Sequence, residues 1–480
     1  MTPPLLQQRR PPALEKRRGG VKTHLIGAGG IGMSGIAMLL LARGEKVSGS
    51  DAADSPLLQR IRQKGAVIQI GHSGANVDGA DRVVYSSAIT PRNPEFLAAR
   101  NRNIPVLHRG QMVAHLLAGY RTIAVTGAHG KSTTSAMAAE LLVATGWDPT
   151  VLLGAEVEAL GGNARVGRGR YAVIEADESD SSLLWYRPAV AIITNMDEEH
   201  LDYYRNSGEI LEMYAAFADR IHPDGLLIGC VDDPMTRRII AAAHRRRITY
   251  GLSKEAQITA KEIQMEPGGS RYRCVLGGKT VGRVRLQVPG VHNVLNSLAI
   301  MGLAVSLGID LRMAQRALEQ FRGPKRRFQI QGEIDGILIV EDYGHHPTEI
   351  EATLQAARNW PGRRVRCVFQ PHRYSRTKYL LDRFVASLSQ ADEVVLLPIY
   401  AASEEPLEGV TSDLLLEQIR AAGRCKSSIR SAEDTLKYLV SESKAGEMIL
   451  FLGAGNVVGL AARFAQALKE KKVHARSVHA

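Results

Sequence analysis

The sequence TIAVTGAHGKSTT (residues 122–134) decides the fold of the middle of this chain. Its apolar start predicts a buried strand, and residues 132–145 predict the helix that follows the glycine-rich turn. A strand, a turn ending in Gly-Lys-Ser and a helix together predict a phosphate-binding loop, in which Lys131 holds nucleotide phosphates and the Ser132 hydroxyl holds Mg²⁺. The full motif would need glycine at the position of Val125. We therefore expect a shortened loop on an ATP-using enzyme.

Acidic and polar residues follow the next two predicted strands. The segments are EADESD (175–180) and NMDEEHLD (195–202). Ligands of open α/β sheets bind at the carboxyl ends of the strands, and Mg²⁺ prefers oxygen ligands, so Glu175, the first residue after its strand, is a candidate Mg²⁺ ligand. His200 is a second candidate ligand because it follows a neighbouring strand end. Four acids within six residues repel one another unless cations lie nearby. The alternatives are a solvated acidic loop and a histidine without a ligand role.

A second glycine-rich turn lies near the start of the chain. The segment GAGGIG (27–32) joins a predicted strand to a predicted helix, and Asp51 closes the next strand. This spacing is the dinucleotide-binding fingerprint, in which backbone N–H groups meet a pyrophosphate and the acid meets a ribose. An NAD enzyme, another diphosphate ligand such as a nucleotide sugar, and a turn needed only for packing all satisfy the pattern.

Two segments that leave predicted strands in the last third of the chain are also polar. They read DYGHHP (342–347) and FQPHRYSRT (369–377). The guanidinium forks of Arg373 and Arg376 match a carboxylate bidentately. The pattern indicates a site for a carboxylate-bearing ligand, and a basic surface helix is the alternative.

Strands that alternate with helical stretches predict an α/β fold with parallel sheets. We expect a disordered basic extension (1–20) and three domains at 21–120, 121–322 and 323–480. The first and third would be Rossmann-like, and the second would have the parallel sheet of phosphate-loop ATPases. The predicted strands are 21–26, 47–50, 67–70, 82–86, 122–125, 172–174, 190–194, 336–340, 365–369, 393–397 and 448–452, and the predicted helices are 31–42 and 132–145.

The net charge of +12 does not by itself indicate a nucleic-acid-binding protein. Residues 1–20 carry +4 and residues 469–480 carry +3, which leaves +5 for the rest of the chain. Both ends are expected to be solvated and disordered. We expect no nucleic acid partner.

The cysteines and the apolar segments do not indicate an exported or membrane protein. The four cysteines are far apart without a C-x-x-C pair, so neither a disulfide framework nor a zinc site is expected. The apolar run 25–42 contains five glycines and no small-residue cleavage motif after it, which argues against a signal peptide or membrane helix. We expect a cytoplasmic monomer or homodimer without stable membrane insertion.

Taken together, these segments resemble the Mur ligase family, the amide-forming enzymes of bacterial peptidoglycan precursor synthesis. The GAGGIGMSGIA stretch favours the alanine-adding branch. Nine segments resemble the family, in its order: HLIGAGGIGMSGIA (24–37), TGAHGKSTT (126–134), EADESD (175–180), TNMDEEHLD (194–202), VPGVHNVLNSLA (288–299), RRFQ (326–329), DYGHHPTE (342–349), FQPHRYSRT (369–377) and FLGAGN (451–456).

The resemblance implies ATP and Mg²⁺ as cofactors and UDP-N-acetylmuramate and L-alanine as substrates. It assigns the first glycine-rich turn to the nucleotide sugar rather than NAD, with Gly27, Ala28, Gly29, Gly30, Ile31, Gly32 and Asp51. It assigns the ATP phosphates to Gly127, Ala128, His129, Gly130, Lys131, Ser132 and Thr133. The implied metal ligands are Ser132, Glu175 and His200.

The resemblance also implies roles for residues further along the chain. His292, Asn293 and Asn296 would lie beside the adenine, Arg327 would contact the γ-phosphate, and Asp342 would contact the ribose. The amino acid would be bound by Tyr343, His345, Arg373 and Arg376. We expect His345 to be the base that deprotonates the amine.

The chain departs from the family pattern at three places. Ala128 and Ser132 stand where many members have threonine, and Ser132 keeps the hydroxyl that Mg²⁺ needs. Residues 201–220 contain no lysine, whereas several relatives use a carbamylated lysine there; the alanine-adding branch also lacks it. Asn456 stands where that branch often has aspartate, and the sequence gives no account of its effect.

The sequence alone leaves three rival functions open. One is a recycling ligase of the same family that attaches a preformed peptide to the same sugar. Another is an NAD-dependent oxidoreductase, which the GAGGIG turn alone would favour. The last is a non-catalytic protein that binds nucleotides or nucleic acid, and the charge distribution argues against it.

Overall fold

The computed structural model describes residues 20–197, 206–402 and 404–478. These form two compact units: the N-terminal unit, residues 20–258 and 299–314, and the C-terminal unit, residues 259–298 and 315–478. Apart from Gly20, the predicted extension lies outside the described residues. None of the described helices combines the length and the apolar character needed to cross a bilayer.

The first sheet of the N-terminal unit is parallel. Its elements are β1 (Lys22–Ile26), α1 (Ile31–Ala42), β2 (Lys46–Asp51), α2 (Pro56–Gln63), β3 (Val67–Ile70), β4 (Arg82–Tyr85), α3 (Pro94–Asn101), β5 (Val106–His108) and α4 (Arg109–Leu116). The strand order is β3-β2-β1-β4-β5. This order changes direction at β1, as in Rossmann-like folds, so the turn after β1 lies where such folds bind ligands.

The second sheet of the N-terminal unit carries the phosphate loop. Its elements are β6 (Arg121–Thr126), α5 (Lys131–Ala144), β7 (Thr150–Val157), β8 (Gly162–Arg165), β9 (Tyr171–Glu175), β10 (Val190–Ile193), α6 (Ser207–Asp219), β11 (Leu226–Cys230), α7 (Pro234–Ala242) and β12 (Arg246–Tyr250). The order is β12-β11-β10-β6-β9-β7-β8, and only β8 in this run is antiparallel to its neighbour. Because β6 lies between β10 and β9, the ends of these three strands are adjacent.

The helix α1 packs directly on β7 and β8 and so joins the two sheets. Gly35 permits this approach, since a Cβ there would lie 2.7 Å from Leu152 Cδ2. The Asn163 side chain, which is buried, donates to the Ile31 carbonyl oxygen at 2.6 Å. One apolar cluster contains residues from both sheets, including Leu25 and Ile174. The first glycine-rich turn is therefore held at a fixed place beside the second sheet.

The C-terminal unit has an antiparallel strand group and a six-stranded sheet, and its boundary runs through β13, α8 and α9. Its elements are β13 (Ile258–Glu266), β14 (Gly269–Leu276), β15 (Lys279–Leu286), α8 (Val291–Leu307), α9 (Leu311–Gln320), β16 (Gln329–Ile334), β17 (Ile337–Asp342), α10 (Pro347–Ala357), β18 (Arg364–Phe369), α11 (Tyr374–Tyr379), α12 (Leu381–Leu388), β19 (Glu393–Leu396), α13 (Ser412–Ala422), β20 (Lys426–Ile429), α14 (Ala432–Glu442), β21 (Glu447–Leu452) and α15 (Leu460–Val478). The sheet order is β16-β17-β21-β18-β19-β20, with only β16 antiparallel.

The central strand β21 shows why this sheet reads as continuous apolar runs in the sequence. Met448, Leu450 and Leu452 belong to one core cluster, and Ile449 and Phe451 belong to another. Successive side chains of a strand point to opposite faces, so both faces of the sheet are covered. A parallel sheet buried on both faces needs apolar residues at every position.

The predicted α/β fold class is confirmed, and each predicted strand and helix is found with ends within two residues. The expectation that residues 469–480 are disordered is wrong for 469–478, because α15 continues to Val478. Lys471 Nζ donates to the Val440 carbonyl oxygen at 2.7 Å, and Lys472 Nζ lies 2.5 Å from Asp335 Oδ1. These contacts attach the basic helix to the C-terminal unit. The proposed boundaries at 120/121 and 322/323 stay predictions.

Candidate active site

The residues that follow β10 hold the phosphate loop after β6 in its conformation. Gly127 has a φ of +132°, and a Cβ there would collide with Thr194 Oγ1 and lie 2.8 Å from the Asn195 carbonyl oxygen. That carbonyl accepts the Ala128 N–H at 2.9 Å, and Asn195 Oδ1 accepts the His129 N–H at 2.9 Å. Gly130, with a φ of +82°, precedes α5, and no side chain caps that helix. Its first-turn N–H groups therefore suit an anion.

Lys131 is folded back over this loop. Its Nζ donates to the carbonyl oxygens of Gly127 at 2.6 Å and Ala128 at 3.0 Å, and to Glu178 Oε1 at 2.7 Å. The Glu178 side chain is only 4% exposed, so its charge is offset mainly inside the protein. The ammonium group therefore lies at the loop together with an internal carboxylate partner.

Ser132 and Glu175 supply adjacent oxygen atoms beside the loop. Ser132 Oγ donates to Glu175 Oε1 at 3.0 Å, and Glu175 Oε2 accepts the Gly154 N–H at 2.8 Å. The hydroxyl lies in the first turn of α5 and the carboxylate at the end of β9, and both are hard oxygen donors of the kind that Mg²⁺ takes beside phosphate oxygens. The residues present thus fit a Mg²⁺ ion. His200, the third predicted ligand, lies outside the described residues.

The segment after β10 contacts the loop through side chains that sequence reasoning did not single out. Thr194 Oγ1 and Asn195 Nδ2 both donate to the His129 carbonyl oxygen, at 2.6 and 3.0 Å. Asp197 Oδ2 lies 2.9 Å from His129 Nε2. Strand ends that carry polar residues were the signal available in the sequence, and the structure uses them to shape the loop.

The acidic segment after β9 has internal cations beside it, as its charge density required. Arg109 Nη2 lies 2.9 Å from Asp177 Oδ2 and 3.0 Å from Asp180 Oδ2. Burial acts to raise the pKa of the Asp180 carboxyl, but the charge of Arg109 together with the hydrogen bonds from Ser182 and Ser87 outweighs it, and the pKa is lowered. With Lys131 beside Glu178, the residues Asp177, Glu178 and Asp180 each lie beside a protein cation, and the sequence alone could not tell which cation serves which acid.

The first glycine-rich turn is held by the end of β2. Gly27, with a φ of +79°, and Ala28 both donate their N–H groups to the Ser50 carbonyl oxygen at 2.9 Å. Asp51 Oδ2 accepts the Gly29 N–H at 2.8 Å, and a Cβ at Gly29 would lie 2.9 Å from that oxygen. Asp51 therefore shapes the turn; its predicted contact with a ribose stays a prediction.

Two of the three predicted adenine-side residues, Asn293 and Asn296, form a buried pair at the start of α8, and the third, His292, is exposed. Asn293 Nδ2 donates to the Pro289 carbonyl oxygen at 2.7 Å, and Asn296 Nδ2 donates to Asn293 Oδ1 at 3.1 Å. Both amides are buried. Gly290 has a φ of +97°, and a Cβ there would lie 2.7 Å from His292 Nδ1. The two asparagines come together, and the contact of all three predicted residues with adenine stays a prediction.

Arg327 lies between two residues with left-handed backbone. Arg326 has a φ of +61° and Phe328 a φ of +46°, a conformation that costs free energy for residues other than glycine. Asp342 offsets this cost, since its carboxylate accepts the N–H groups of Phe328 and Gly344, both at 2.6 Å. Burial raises the pKa of Asp342. Arg327 Nη1 lies 3.1 Å from Glu349 Oε1, so the loop and α10 together orient the guanidinium.

Histidine and arginine side chains of the amino acid candidates meet beyond β17 and β18. Arg376 Nη1 donates to His372 Nδ1 at 3.1 Å, and the His345 and His372 rings are 5.7 Å apart. Arg373, the residue before α11, has a φ of +71°. The pKa of His345 lies well below its usual value, mainly because the ring is buried and secondly because of the positive charge of Arg376. Burial, followed by the charges of Arg376 and Arg373, lowers the pKa of His372 to about 4.

The structure shows what the side chain of Asn456 contacts. Gln370 Nε2 donates to Asn456 Oδ1 at 2.6 Å and to the Pro398 carbonyl oxygen at 3.2 Å, and Gln370 Oε1 accepts the Val457 N–H at 3.0 Å. The segment that carries Arg373 and Arg376 is thereby attached to the ends of β19 and β21. An aspartate at 456 would offer the same acceptor, so the difference between this chain and its branch is small in hydrogen-bonding terms.

Three family models match successive parts of the chain. They are described as Mur ligase family, catalytic domain, for residues 22–121; Mur ligase middle domain, for 125–304; and Mur ligase, glutamate ligase domain, for 326–455. The UDP-N-acetylmuramate–L-alanine ligase of Geotalea daltonii is 42% identical over 94% of this chain and 98% of that protein. The chain belongs to the Mur ligase family.

Further relatives of this Mur ligase agree in name and in structure. The UDP-N-acetylmuramate–L-alanine ligase of Aquifex aeolicus is 43% identical over 91% of the chain and 95% of that protein. The solved UDP-N-acetylmuramate-alanine ligase of Thermotoga maritima matches with a TM-score of 0.81 and 30% identity over 94% of this chain and 99% of that one. A murein peptide ligase of Psychrobacter arcticus matches with a TM-score of 0.70 and 25% identity over the same shares.

Proposed function

We propose that this Mur ligase joins L-alanine to the lactyl carboxylate of UDP-N-acetylmuramate in the cytoplasm, with ATP converted to ADP and phosphate. The observation that carries the proposal is the match, at 42–44% identity over 90–94% of the chain, to proteins named UDP-N-acetylmuramate–L-alanine ligase. The shortened phosphate loop with Lys131, Ser132 and Glu175 supports the use of ATP. The product would be a precursor of peptidoglycan.

The first step would be phosphoryl transfer in which the N-terminal unit holds ATP. A lactyl carboxylate oxygen attacks the γ-phosphorus, the bond to the bridging oxygen breaks, and an acyl phosphate and ADP form. Lys131 and the first N–H groups of α5 would bear the phosphate charge. Ser132 and Glu175 would hold Mg²⁺, which as a Lewis acid neutralises charge on phosphate oxygens. The family resemblance assigns Arg327 to the γ-phosphate and His200 to a metal, and both assignments are part of the proposal.

The second step would be acyl transfer to the amine of L-alanine. The neutral amine attacks the acyl carbon, the bond to phosphate breaks, and the nitrogen loses a proton. Arg373 and Arg376 would bind the alanine carboxylate, with Tyr343 beside them. His345 Nδ1 faces the Tyr343 carbonyl oxygen at 3.1 Å and therefore carries the ring proton, which leaves Nε2 with a lone pair to accept the proton from the amine.

We expect Arg376→Ala to raise the KM for L-alanine about 10- to 100-fold, because a charge-assisted hydrogen bond to a carboxylate is lost. The KM values for ATP and the sugar nucleotide should change less than about twofold. Steady-state kinetics with each substrate varied in turn measure this. The matched control is Arg420→Ala, an exposed arginine on α13, which should leave all three values unchanged. An unaltered alanine KM in Arg376→Ala would remove this residue from the amino acid site.

We expect His345→Ala to lower kcat about 10²-fold or more, since general base catalysis contributes roughly 10²- to 10⁴-fold. A base must be unprotonated, so the rate falls as the pH drops through its pKa. Because burial lowers the pKa of His345, the acid limb of kcat should lie below pH 6.5 in the unaltered enzyme. The measurement is kcat against pH at saturating substrates. An identical profile in His345→Ala would exclude the residue as the base.

The test of the proposed function is ADP release with UDP-N-acetylmuramate and a panel of amines. The panel contains L-alanine, glycine, L-serine and a preformed peptide that begins with L-alanine. Release with L-alanine supports the proposal. Release with the peptide alone would favour the recycling ligase. The absence of release with any amine, in the presence of ATP and Mg²⁺, would contradict both.

A further inference from the structure

Arg109, the first residue of α4, lies between the first glycine-rich turn and the acidic segment 177–180. Its Nη2 contacts Asp177 and Asp180, and its Nε donates to Ser87 Oγ at 2.9 Å. Burial acts to lower the pKa of Arg109, but the two aspartates outweigh it and shift that pKa upward. The guanidinium is therefore a permanent cation in a mostly buried place, 21% exposed.

On one side, Arg109 sets the position of Glu178. Asp177 and Asp180 flank Glu178, and each also accepts a backbone N–H: Asp177 Oδ1 from Ser179 at 3.0 Å, and Asp180 Oδ1 from Ser182 at 2.9 Å. The same guanidinium thus holds the first and last residues of the segment 177–180. Glu178, inside this segment, lies 2.7 Å from Lys131 Nζ. Where Glu178 lies, and so how strongly it holds Lys131, depends on Arg109.

On the other side, Arg109 reaches the first glycine-rich turn. A Cβ at Gly32 would lie 3.7 Å from Arg109 Nη1. Ser87, which accepts from Arg109 Nε, follows Ser86, whose Cβ would lie 3.3 Å from a Cβ at Gly27. Arg109 therefore lies beside the turn on one side and, through Asp177 and Asp180, holds the segment that pairs with Lys131 on the other.

We propose that Arg109 is a positioning residue that couples the two nucleotide sites of the N-terminal unit. An anionic diphosphate at the Gly27–Gly32 turn attracts the guanidinium, weakens its hold on Asp177 and Asp180, and lowers the cost of separating Lys131 from Glu178. Lys131 then turns to the phosphates of ATP. The coupling is positive and, as a binding free energy, reciprocal between the two ligands. The proposal rests on the proposed function, which places a sugar diphosphate at that turn.

The chain offers a matched control in Arg60. This arginine of α2 pairs with Glu156 of β7 at 2.7 Å and so also connects an element of the first sheet to the second sheet. Neither residue belongs to the acidic segment or to the phosphate loop. Arg60→Lys therefore makes the same change of side chain at an ion pair outside the path through Arg109.

The experiment measures the Kd of a non-hydrolysable ATP analogue by calorimetry, with and without saturating UDP-N-acetylmuramate. In the unaltered protein the sugar nucleotide should tighten analogue binding at least about fivefold, the lower end of ordinary coupling. Arg109→Lys keeps the positive charge but loses the forked guanidinium group. In this variant, the tightening of analogue binding by the sugar nucleotide should fall below about twofold. Because this variant already holds Asp177 and Asp180 less firmly, the Kd of the analogue alone should fall, by no more than about the factor that the sugar nucleotide produces in the unaltered protein. Arg60→Lys should behave as the unaltered protein does.

Two outcomes overturn the coupling: no tightening in the unaltered protein, or full tightening in Arg109→Lys. If Arg109→Lys does not fold, Asp180→Asn and Ser87→Ala replace it, and coupling retained in both overturns the proposal. The Kd of UDP-N-acetylmuramate with and without the analogue must give the same factor. Absence of sugar nucleotide binding and of ADP release in the unaltered protein would instead contradict the proposed function, and the coupling with it.

Discussion

Lys131→Ala should lower the ligase rate about 10³-fold or more while the fold survives. The ammonium group is held over the phosphate loop by two loop carbonyls and Glu178. Removing a positioned charge from a phosphoryl-transfer site costs about 10²- to 10³-fold, and in the proposed function the same group would also aid ATP binding. The measurement is ADP release at saturating substrates, together with the melting temperature.

Two control variants make this result specific. Lys437→Ala removes an exposed lysine of α14 in the C-terminal unit and should leave the rate unchanged. Lys131→Ala with Glu178→Gln removes the buried carboxylate along with its partner, so a melting temperature restored by the pair would separate a folding defect from a chemical one. Substantial turnover by folded Lys131→Ala would contradict the assignment of the loop to ATP.

Glu175→Gln should lower kcat about 10²-fold or more and raise the concentration of Mg²⁺ needed for half-maximal rate. The carboxylate accepts from Ser132 Oγ and from the Gly154 N–H. An amide offers one acceptor in place of two and carries no charge, so both the local hydrogen bonds and the attraction for a divalent cation weaken. The measurement is kcat as a function of Mg²⁺ at saturating ATP.

The matched control for this variant is Glu158→Gln, an exposed carboxylate in the turn after β7. It should leave the Mg²⁺ dependence as it is. A Glu175→Gln enzyme with an unchanged kcat and Mg²⁺ requirement would show that the carboxylate only supports the backbone at Gly154.

Burial on both faces explains some of the strands that the sequence predicted, but not all of them: β3 was predicted although its residues are mostly exposed, and the fully buried β11 was not predicted. β21 and β10 read as uninterrupted apolar runs because both faces are buried. The sequence did not predict β20 or β16, since their residues are only partly buried and mix polar with apolar side chains. Their pairing depends on a neighbouring strand rather than on their own composition. The helical course of residues 469–478 was missed because charge alone suggested disorder.

The candidate site could be predicted only where a motif carries its own chemistry. The glycine-rich turn, Lys131 and Glu175 belong to such motifs. Arg109 does not: it stands 68 residues before Asp177, and nothing local distinguishes it from other arginines. The four acids of 175–180 required a cation, but which cation satisfies which acid depends on how the two sheets pack. Gln370 belongs to the FQPHRYSRT motif, but its contacts with Asn456 and Val457 form only when the strands of the folded sheet lie side by side.

The contact between Lys131 and Glu178 also has a consequence for release of the nucleotide product. A lysine bound only to phosphate would keep the leaving nucleotide through its charge. Here a carboxylate 2.7 Å from the ammonium nitrogen competes with every bound anion. In the proposed function, ATP would compete with Glu178 for the ammonium group more strongly than ADP, which carries less charge. The internal carboxylate would thus favour release of the nucleotide after transfer.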